Sequence, residues 1–350
     1  MRMKKIMILA VAAVALAACT KEFDTNKSAS NGTAIGFNTW AEQLTKARAA
    51  GASTFGAGDS FNVEGFKTLP GDPSSTNVTV FNDVPVTTTD GTNWTYDNTR
   101  FWDSNATSYT FFAVSSPTTA LTFAADGTIA ATAVTFSGEN NDILLANSVE
   151  VTPPYSSTPV ALTFKHIGAL VDLKVKKSAA LNTANATVAI TGVTIEGVSD
   201  EATVAVSGYS TNVPTVEWDS LANSDNSTYG ITSGAVDCTL PSDVGTTGDD
   251  LINTLVVIPQ TLTDAKILKI SYTITDAAST VNTFTNKEIK LNLFDETENT
   301  TNGSPDTVIG SWVAGKHYIY TLTIDANTIN FTGSITDWGD AINGYNYLIQ

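Results

Sequence analysis

The amino-acid sequence predicts an all-β protein with a β-sandwich architecture, and two observations support this prediction. The first is a set of short runs in which apolar and polar residues mostly alternate, so that one face of each strand is apolar. The second is the spacing of these runs by Gly, Asn, Asp and Pro, the residues that favour turns. The runs cover residues 109–114, 162–167, 170–176, 186–195, 255–258, 267–274, 288–293 and 318–324.

One stretch near the start of the predicted sheets departs from the strand pattern. Residues 40–48 have high helix propensity, and Trp40 and Leu44 are spaced so that they share one helix face. We expect a strand at residues 35–37, followed by a short helix or a loop.

The first 18 residues have the arrangement of a secretory signal peptide. Residues 1–5 are basic, and the apolar run over residues 6–18 is shorter than the roughly 20 residues that span a bilayer. Small residues lie directly before Cys19, and the sequence of residues 16–19 resembles the bacterial lipobox. We therefore predict that residues 1–18 are a lipoprotein signal peptide and that Cys19 carries lipid. The alternative is an ordinary cleaved signal with a cysteine nearby.

The chain beyond this signal is long enough for two domains of ordinary size. Residues 19–33 are small and polar, which is typical of a flexible tether. Three prolines between residues 151 and 159 cannot lie inside a central strand, so they mark a candidate boundary. The prediction is an N-terminal β-sandwich over residues 34–156 and a C-terminal β-sandwich over residues 157–350.

The composition limits the partners and cross-links of this chain. The formal net charge is −17, which argues against nucleic acid and anionic membrane surfaces because both need clustered Lys and Arg. Cys19 and Cys238 are the only cysteines in the sequence. If Cys19 is acylated, no intramolecular disulfide can form, so stability must come from a packed core.

The sequence predicts neither an enzyme nor a metal site, because it lacks the usual nucleophile, nucleotide and metal-ligand motifs. His166 and His317 each lie in a strand-like run beside apolar residues, which favours packed or edge-strand histidines over catalytic or metal-binding ones. The acidic residues 295–306 include calcium-type ligands without the spacing of a calcium loop, so a solvated loop is favoured. We expect no catalytic residue, no metal and no cofactor.

Six tryptophans leave a glycan-binding alternative open, since aromatic faces stack on sugars. Trp94 and Trp102 are close in sequence, while Trp312 and Trp338 bracket the last predicted strands. Packing in a core or at a sheet edge is the favoured interpretation, because large aromatic side chains contribute most to burial.

A series of short motifs occurs along nearly the whole mature chain. They lie at residues 35–39, 94–96, 100–102, 109–117, 162–170, 255–260, 312–322 and 335–338. As an ordered set they resemble the fimbrillin (Mfa-like) family of Bacteroidales pilins and pilus-associated lipoproteins. The resemblance implies two transthyretin-like β-sandwich domains in tandem and a structural role in a surface pilus.

The resemblance also implies a route of assembly. In this family the subunit travels as a lipoprotein, and an arginine- or lysine-specific protease cuts behind the first strand, here residues 35–44. Arg48 is the best candidate for the cut and Lys46 the second. A strand from another subunit then fills the vacated groove by β-augmentation. Residues 340–350 are the candidate donor, or else the last strand of their own domain.

The resemblance extends to the predicted location. Acidic residues directly behind Cys19 resemble the signal that takes such lipoproteins to the outer face of the outer membrane, with ordinary tether polarity as the alternative. We expect a protein of the cell outer membrane and the pilus that binds other pilin subunits and supports adhesion to a host or bacterial surface. The alternative function is a monomeric outer-membrane surface lipoprotein that binds glycan.

Overall fold

The computed structural model describes residues 32–39, 55–71, 78–116, 119–124, 126–136, 142–222, 228–230, 240–294, 307–308, 310–326 and 329–337. Within these residues every regular element is a strand except one short helix, so the all-β prediction is confirmed. The first half contains β1 Phe37–Thr39, β2 Ser60–Thr68, β3 Val78–Thr88, β4 Trp94–Tyr96, β5 Ser108–Ser115, β6 Ile129–Thr135, β7 Leu144–Ala146, β8 Val149–Val151, β9 Val160–Leu162 and β10 Phe164–His166.

The second half continues with β11 Ala169–Lys177, α1 Ala179–Thr183, β12 Thr187–Glu196, β13 Glu201–Ser210, β14 Val213–Ala222, β15 Thr228–Gly230, β16 Asp249–Val257, β17 Gln260–Thr261, β18 Ile267–Thr275, β19 Val281–Lys290, β20 Leu293–Phe294, β21 Thr307–Val308, β22 Ser311–Trp312, β23 Lys316–Ile324 and β24 Ile329–Asp337. Several predicted runs match these strands, but some bounds differ. The predicted run 288–293 is interrupted by a turn at Leu291 and Asn292 between β19 and β20.

The first sheet has the strand order β10-β7-β5-β2-β3-β4, and β8 pairs with β5. Its central strand β5 explains why residues 109–114 are apolar without clean alternation. Tyr109 and Phe111 face one hydrophobic cluster, whereas Phe112 and Val114 face another. A strand covered on both faces has no solvent side on which to place polar residues.

The second half forms two four-stranded sheets, ordered β16-β11-β23-β24 and β15-β12-β18-β19. Alternate residues of β18 are buried, and the two sheets enclose one cluster in which Trp312, Leu268 and Tyr320 are fully buried. This is the packing expected of a β-sandwich, in which each sheet contributes one apolar face.

A third sheet, ordered β14-β13-β6, combines strands from both halves. Val204 and Val206 of β13 share a hydrophobic cluster with Val134 of β6 and with Ile258. In addition, β9 pairs with β1 and β10 pairs with β7. The boundary at residues 156 and 157 and the tandem two-domain division stay predictions.

Candidate functional site: the seat of the first strand

Residues 32–39 lie between two other segments of the chain, and backbone hydrogen bonds join them to the segment of residues 100–102. The Ile35 N–H donates to the Arg100 carbonyl over 2.9 Å, and the Trp102 N–H donates to the Thr33 carbonyl over 3.0 Å. An antiparallel bridge between Ala34 and the residue after Arg100 completes this side. A strand was predicted at residues 35–37, and the observed strand β1, Phe37–Thr39, overlaps it only at Phe37.

The opposite side of this segment pairs with β9. The Val160 N–H donates to the Gly36 carbonyl over 2.8 Å, and Phe37 lies opposite Val160 in a parallel register that continues to Thr39. Residues 33–35 thus have backbone partners on one edge of the segment, and residues 36–39 have partners on the other.

The side chains of this segment alternate between the core and solvent. Ile35 and Phe37 are 1% and 5% exposed. The Phe37 ring meets Phe81, Phe111 and Tyr96 with centroid distances of 5.2, 5.6 and 5.8 Å, all in edge-to-face geometry. Burying a side chain of this size contributes about 1.5–3 kcal/mol, and each aromatic pair adds about 0.5–1.5 kcal/mol.

We call the surface that receives residues 32–39 the strand seat. It consists of residues 100–102, strand β9 and the rings of Phe81, Tyr96 and Phe111. A seat of this kind recognises a strand through its backbone groups and through pockets for alternate side chains. Nothing in this recognition requires that the strand belong to the same chain.

Tyr96 connects the first segment to one wall of the strand seat. Its hydroxyl donates to the Ile35 carbonyl over 2.6 Å and accepts a longer hydrogen bond from the Arg100 N–H at 3.3 Å. Burial raises the pKa of Tyr96, against smaller lowering contributions from the N–H and the charge of Arg100. The hydroxyl therefore keeps its proton and remains a donor at neutral pH.

Arg100 forms the outer wall of the strand seat. Its Nε donates to the Val80 carbonyl over 2.8 Å, and its Nη1 donates to the carbonyls of Asp97 and Asn98 over 3.0 and 2.7 Å. The guanidinium carbon lies 4.9 Å from the centroid of the Phe81 ring, where the negative face of the ring attracts a cation.

Several predicted site residues lie outside the described residues. They are Cys19, Lys46, Arg48, Cys238, the acidic segment 295–306, Trp338 and the candidate donor 340–350. Their predicted roles stay predictions.

Both histidines are paired with carboxylates in the structure. His166 is buried and its Nδ1 lies 2.9 Å from Asp142, while the Nε2 of His317 lies 2.8 Å from Asp172. Among the described residues no group of three or more potential metal ligands comes together. The described part of the chain also contains no helix long and apolar enough to cross a membrane.

Two of the tryptophans considered for glycan binding are buried. Trp102 donates its Nε1–H to the Ser156 carbonyl, and Trp312 donates its own to the Tyr320 hydroxyl, each over 2.9 Å. With exposures of 4% and 0%, neither ring offers a face to a sugar. Their role is core packing, which is the interpretation the sequence favoured.

The sequence analysis included two segments of the strand seat among its family motifs but gave their residues no role in holding the first strand. Residues 94–96 and 100–102 were identified as motifs, yet Tyr96 and Arg100 received no role. Both act on segments distant in sequence, since the Tyr96 hydroxyl bonds a residue 61 positions away. In the sequence, Arg100 stands out only as an arginine close to several aromatic residues. No rule based on residue periodicity assigns a role to such an arginine.

The sequence profile of a family described as Fimbrillin-like matches residues 45–338, which is most of the chain. This chain belongs to the fimbrillin-like family. The resemblance predicted from the ordered motifs is thereby confirmed. The fimbrillin-like chain is a pilus-type structural protein of the cell surface, of a kind that assembles with other pilin subunits.

Two solved structures are similar to the fimbrillin-like chain. A fimbrial protein from Bacteroides vulgatus ATCC 8482 is 18% identical, with 87% of this chain and 99% of that chain covered and a TM-score of 0.52, which shows a shared fold. The tip fimbrial protein Mfa3 from Porphyromonas gingivalis, with a C-terminal truncation, is 9% identical, with 87% and 99% covered and a TM-score of 0.39. No curated protein matches the sequence.

Proposed function

We propose that this protein is a pilus subunit that is exported as a lipoprotein on Cys19 and assembled by donor-strand exchange. The observation that carries this proposal is the strand seat. It holds a short N-terminal segment by hydrogen bonds on both edges and by two inward side chains, Ile35 and Phe37. A strand from a second subunit with apolar residues at the same spacing satisfies the same groups, and the resulting filament supports adhesion.

Proteolysis after Arg48, or after Lys46, starts the exchange. While the chain is intact, residues 32–39 are tethered to their own strand seat, and a short tether keeps the effective concentration in the millimolar range. The cut removes none of the contacts of β1. It converts an intramolecular contact into a bimolecular one, so the released segment can dissociate and a donor strand can take its place.

The empty strand seat is unfavourable in water, and binding of another strand would stabilise it. Loss of residues 32–39 exposes the rings of Phe81 and Phe111, which are fully buried in the intact chain, and leaves β9 without its partner strand. Exposed apolar surface beside a free strand edge is a template for pairing with another chain.

The candidate donor is the C-terminal segment, residues 340–350. In an extended strand Tyr345, Tyr347 and Ile349 would share one face, and a row of apolar side chains at every second residue is what a seat with alternate pockets accepts. It follows β24, which pairs on one edge with β23.

Cys19 then has a temporary role. The lipid holds the precursor at the outer face of the outer membrane, and the cut after Arg48 releases the subunit because residues 19–48 remain with the lipid. A subunit that is never cut stays on the membrane and acts as an anchor.

Digestion and electron microscopy of purified mature chain test this proposal. An arginine-specific protease should cut wild-type protein after Arg48 and produce filaments, whereas Arg48→Gln protein should remain monomeric. Lys46→Gln is the matched control, because it removes a neighbouring positive charge and keeps the preferred cut. Filaments formed equally well by an Arg48→Gln, Lys46→Gln double variant would show that removal of the first strand is not required.

A further inference from the structure

Arginine is rare in this chain, and one of its few arginines lies in the wall of the strand seat. The sequence contains Arg2, Arg48 and Arg100 only. After loss of the predicted signal peptide, a protease that recognises arginine therefore meets one bond besides the proposed processing site. That bond joins Arg100 to Phe101.

The backbone around this bond is occupied by the first segment. The Arg100 carbonyl accepts from the Ile35 N–H, and the Trp102 N–H donates to the Thr33 carbonyl, with Ala34 bridged to Phe101 between them. Proteases bind their substrates as extended strands and use these same ladder groups. A protease cannot pair with residues 100–102 while residues 33–35 already do.

The side chain of Arg100 is held as firmly as its backbone. Three carbonyl oxygens accept hydrogen bonds from its guanidinium, which lies over the Phe81 ring. A trypsin-like specificity pocket must extract the guanidinium from all of these contacts. Phe81 and Tyr96, which flank the guanidinium, are themselves packed against Phe37 of the first segment.

We infer that the Arg100–Phe101 bond is a latent cleavage site that residues 32–37 shield, so that a strand seat left empty is open to the protease. Cleavage adds water across this peptide bond, leaving a carboxylate on Arg100 and an amine on Phe101, and it divides the wall of the seat. A donor strand that refills the seat restores the shield. Subunits that lose their first strand and find no partner are thereby inactivated, a consequence that rests on the proposed function.

The rate of cutting after Arg100 tests the shield directly. In full-length mature protein carrying Arg48→Gln, Arg100 is the remaining arginine, and an arginine-specific endoprotease should leave it intact. Adding Phe37→Ala weakens the seating of the segment, and cleavage before Phe101, identified by mass spectrometry, should accelerate about tenfold or more, because proteolysis follows the population of the open form. Phe284→Ala in β19 is the matched control. It removes a ring stacked on Tyr272, far from the seat in the fold, and should change the rate less than about twofold.

Tyr96→Phe provides a milder second variant if Phe37→Ala does not fold. It keeps the ring and removes the hydrogen bonds to Ile35 and Arg100, so cutting should still accelerate. The inference is overturned if Arg48→Gln protein is cut at Arg100 without any further change, or if Phe284→Ala accelerates cutting as much as Phe37→Ala does.

The same digestions separate this inference from the proposed processing. If wild-type protein resists cutting at Arg48 while Phe37→Ala opens Arg100, the processing proposal is wrong and the shield stands. If Arg48 is cut and Arg100 stays intact in both the Phe37→Ala and the Tyr96→Phe backgrounds, the shield is wrong and the processing proposal stands.

Discussion

Gly65 in β2 lies against the rings of Phe81 and Phe111, which belong to the same hydrophobic cluster as Phe37. A Cβ at this position would lie 2.8 Å from Phe81 and 3.0 Å from Phe111, and those rings also form the floor of the strand seat. Real Cβ atoms essentially never lie within 3.0 Å of another heavy atom, so the Phe81 ring would have to shift and the Phe111 ring would have to give slightly. Because Gly65 lacks a Cβ, the two rings can take the positions in which they contact Phe37.

Gly65→Ala should lower the free energy of unfolding by about 1–3 kcal/mol, because overpacking a filled core displaces side chains from their preferred rotamers. Urea unfolding measures the change. Gly192→Ala in β12 is the matched control, since a Cβ there meets nothing closer than 3.8 Å, at Ser271. Equal losses in the two variants would refute the packing explanation.

Glu64 is a buried carboxyl group on the opposite face of β2 from Gly65. Burial raises its pKa to about 7, and the nearby Asp83 charge adds to the rise while the Asp83 N–H opposes it. The ordinary pKa of this carboxyl group is near 4.5. Between pH 4.5 and pH 7, therefore, the folded state binds more protons than the unfolded state. The stabilisation from Glu64 is therefore fully present below about pH 4.5 and is lost as the pH rises through about 7.

Glu64→Gln should remove this dependence, because a neutral amide can still accept the hydrogen bond from Asp83. At pH 8 the variant should be more stable than the wild type by about 1–2 kcal/mol, and near pH 4.5 the difference should be close to zero. Chemical unfolding at both pH values measures the effect. Glu150→Gln on β8, where the side chain is exposed, is the control and should show no such pH-dependent gain.

At the scale of elements, β1 owes its place to its surroundings. It has three residues, far fewer than an isolated strand needs, and its own sequence has no strong strand signal. Its stability comes from pairing with β9, from the hydrogen bonds that join the preceding residues 33–35 to residues 100–102, and from three aromatic rings. Within the strand seat, Phe81 and Phe111 lie on strands β3 and β5 of the first sheet, to which β1 does not belong. That part of the seat does not depend on β1, and we expect it to remain in place when β1 is exchanged.

Phe37→Ala should lower the free energy of unfolding by about 3–5 kcal/mol, the usual loss for a buried phenylalanine. Asn38→Ala, at the exposed neighbouring position of β1, should cost less than about 0.5 kcal/mol. Thermal unfolding of the uncut chain distinguishes the two. A small loss for Phe37→Ala would mean that the ring contributes little to holding the first strand.

β19 shows why some strands escape sequence analysis. Nearly all of its residues are exposed, so burial imposes no alternation on its sequence. Among the described strands β19 pairs with β18 alone. Asn286 has a φ of 47°, and the pairing with β18 shifts register near this position. A bulge and the flanking lysines are devices that protect a free edge from unwanted pairing.

At the scale of the whole molecule, the two halves are joined by more than the chain connection between β10 and β11. β6 and β13 form an antiparallel ladder that includes Glu201 opposite Thr135 and Val204 opposite Thr132. The hydrophobic cluster beneath this ladder draws on both halves. Force that passes along a filament through both halves is therefore shared between a covalent link and a packed sheet.

Deletion of residues 341–350 should abolish filaments and leave a folded monomer if this segment is the donor strand. Such a chain should still accept a donor, so mixing it with processed wild-type protein should shorten the filaments seen by electron microscopy. Replacement of the segment by an equally long Gly-Ser sequence is the control, because it keeps the length and removes the side chains. Loss of the folded monomer would show that the segment belongs to its own domain.

How much of the fold the sequence predicts depends on how each strand is buried. The alternation of residues 267–274 predicted β18, because one face of that strand is buried and the other is partly exposed. The strands β13 and β14 were not predicted. In the structure β13 pairs with β14, its neighbour in the chain, and with the distant β6. The boundary at residues 156 and 157 was predicted from prolines. Strands β9 and β10, which follow it, pair with β1 and β7, and no local sequence pattern predicts this long-range pairing.

The sequence by itself determined the fold class, the family and the predicted lipid on Cys19, because each depends on local periodicity, motif order or adjacent residues. Only the tertiary structure decided how the first strand is held. Ile35, the neighbouring residues Tyr96 and Arg100, and Val160 belong to three distant parts of the chain, and long-range backbone pairing and ring packing bring them together. Contacts of this kind have no sequence period, so the strand seat and the shielded bond behind Arg100 emerge only once the chain is folded.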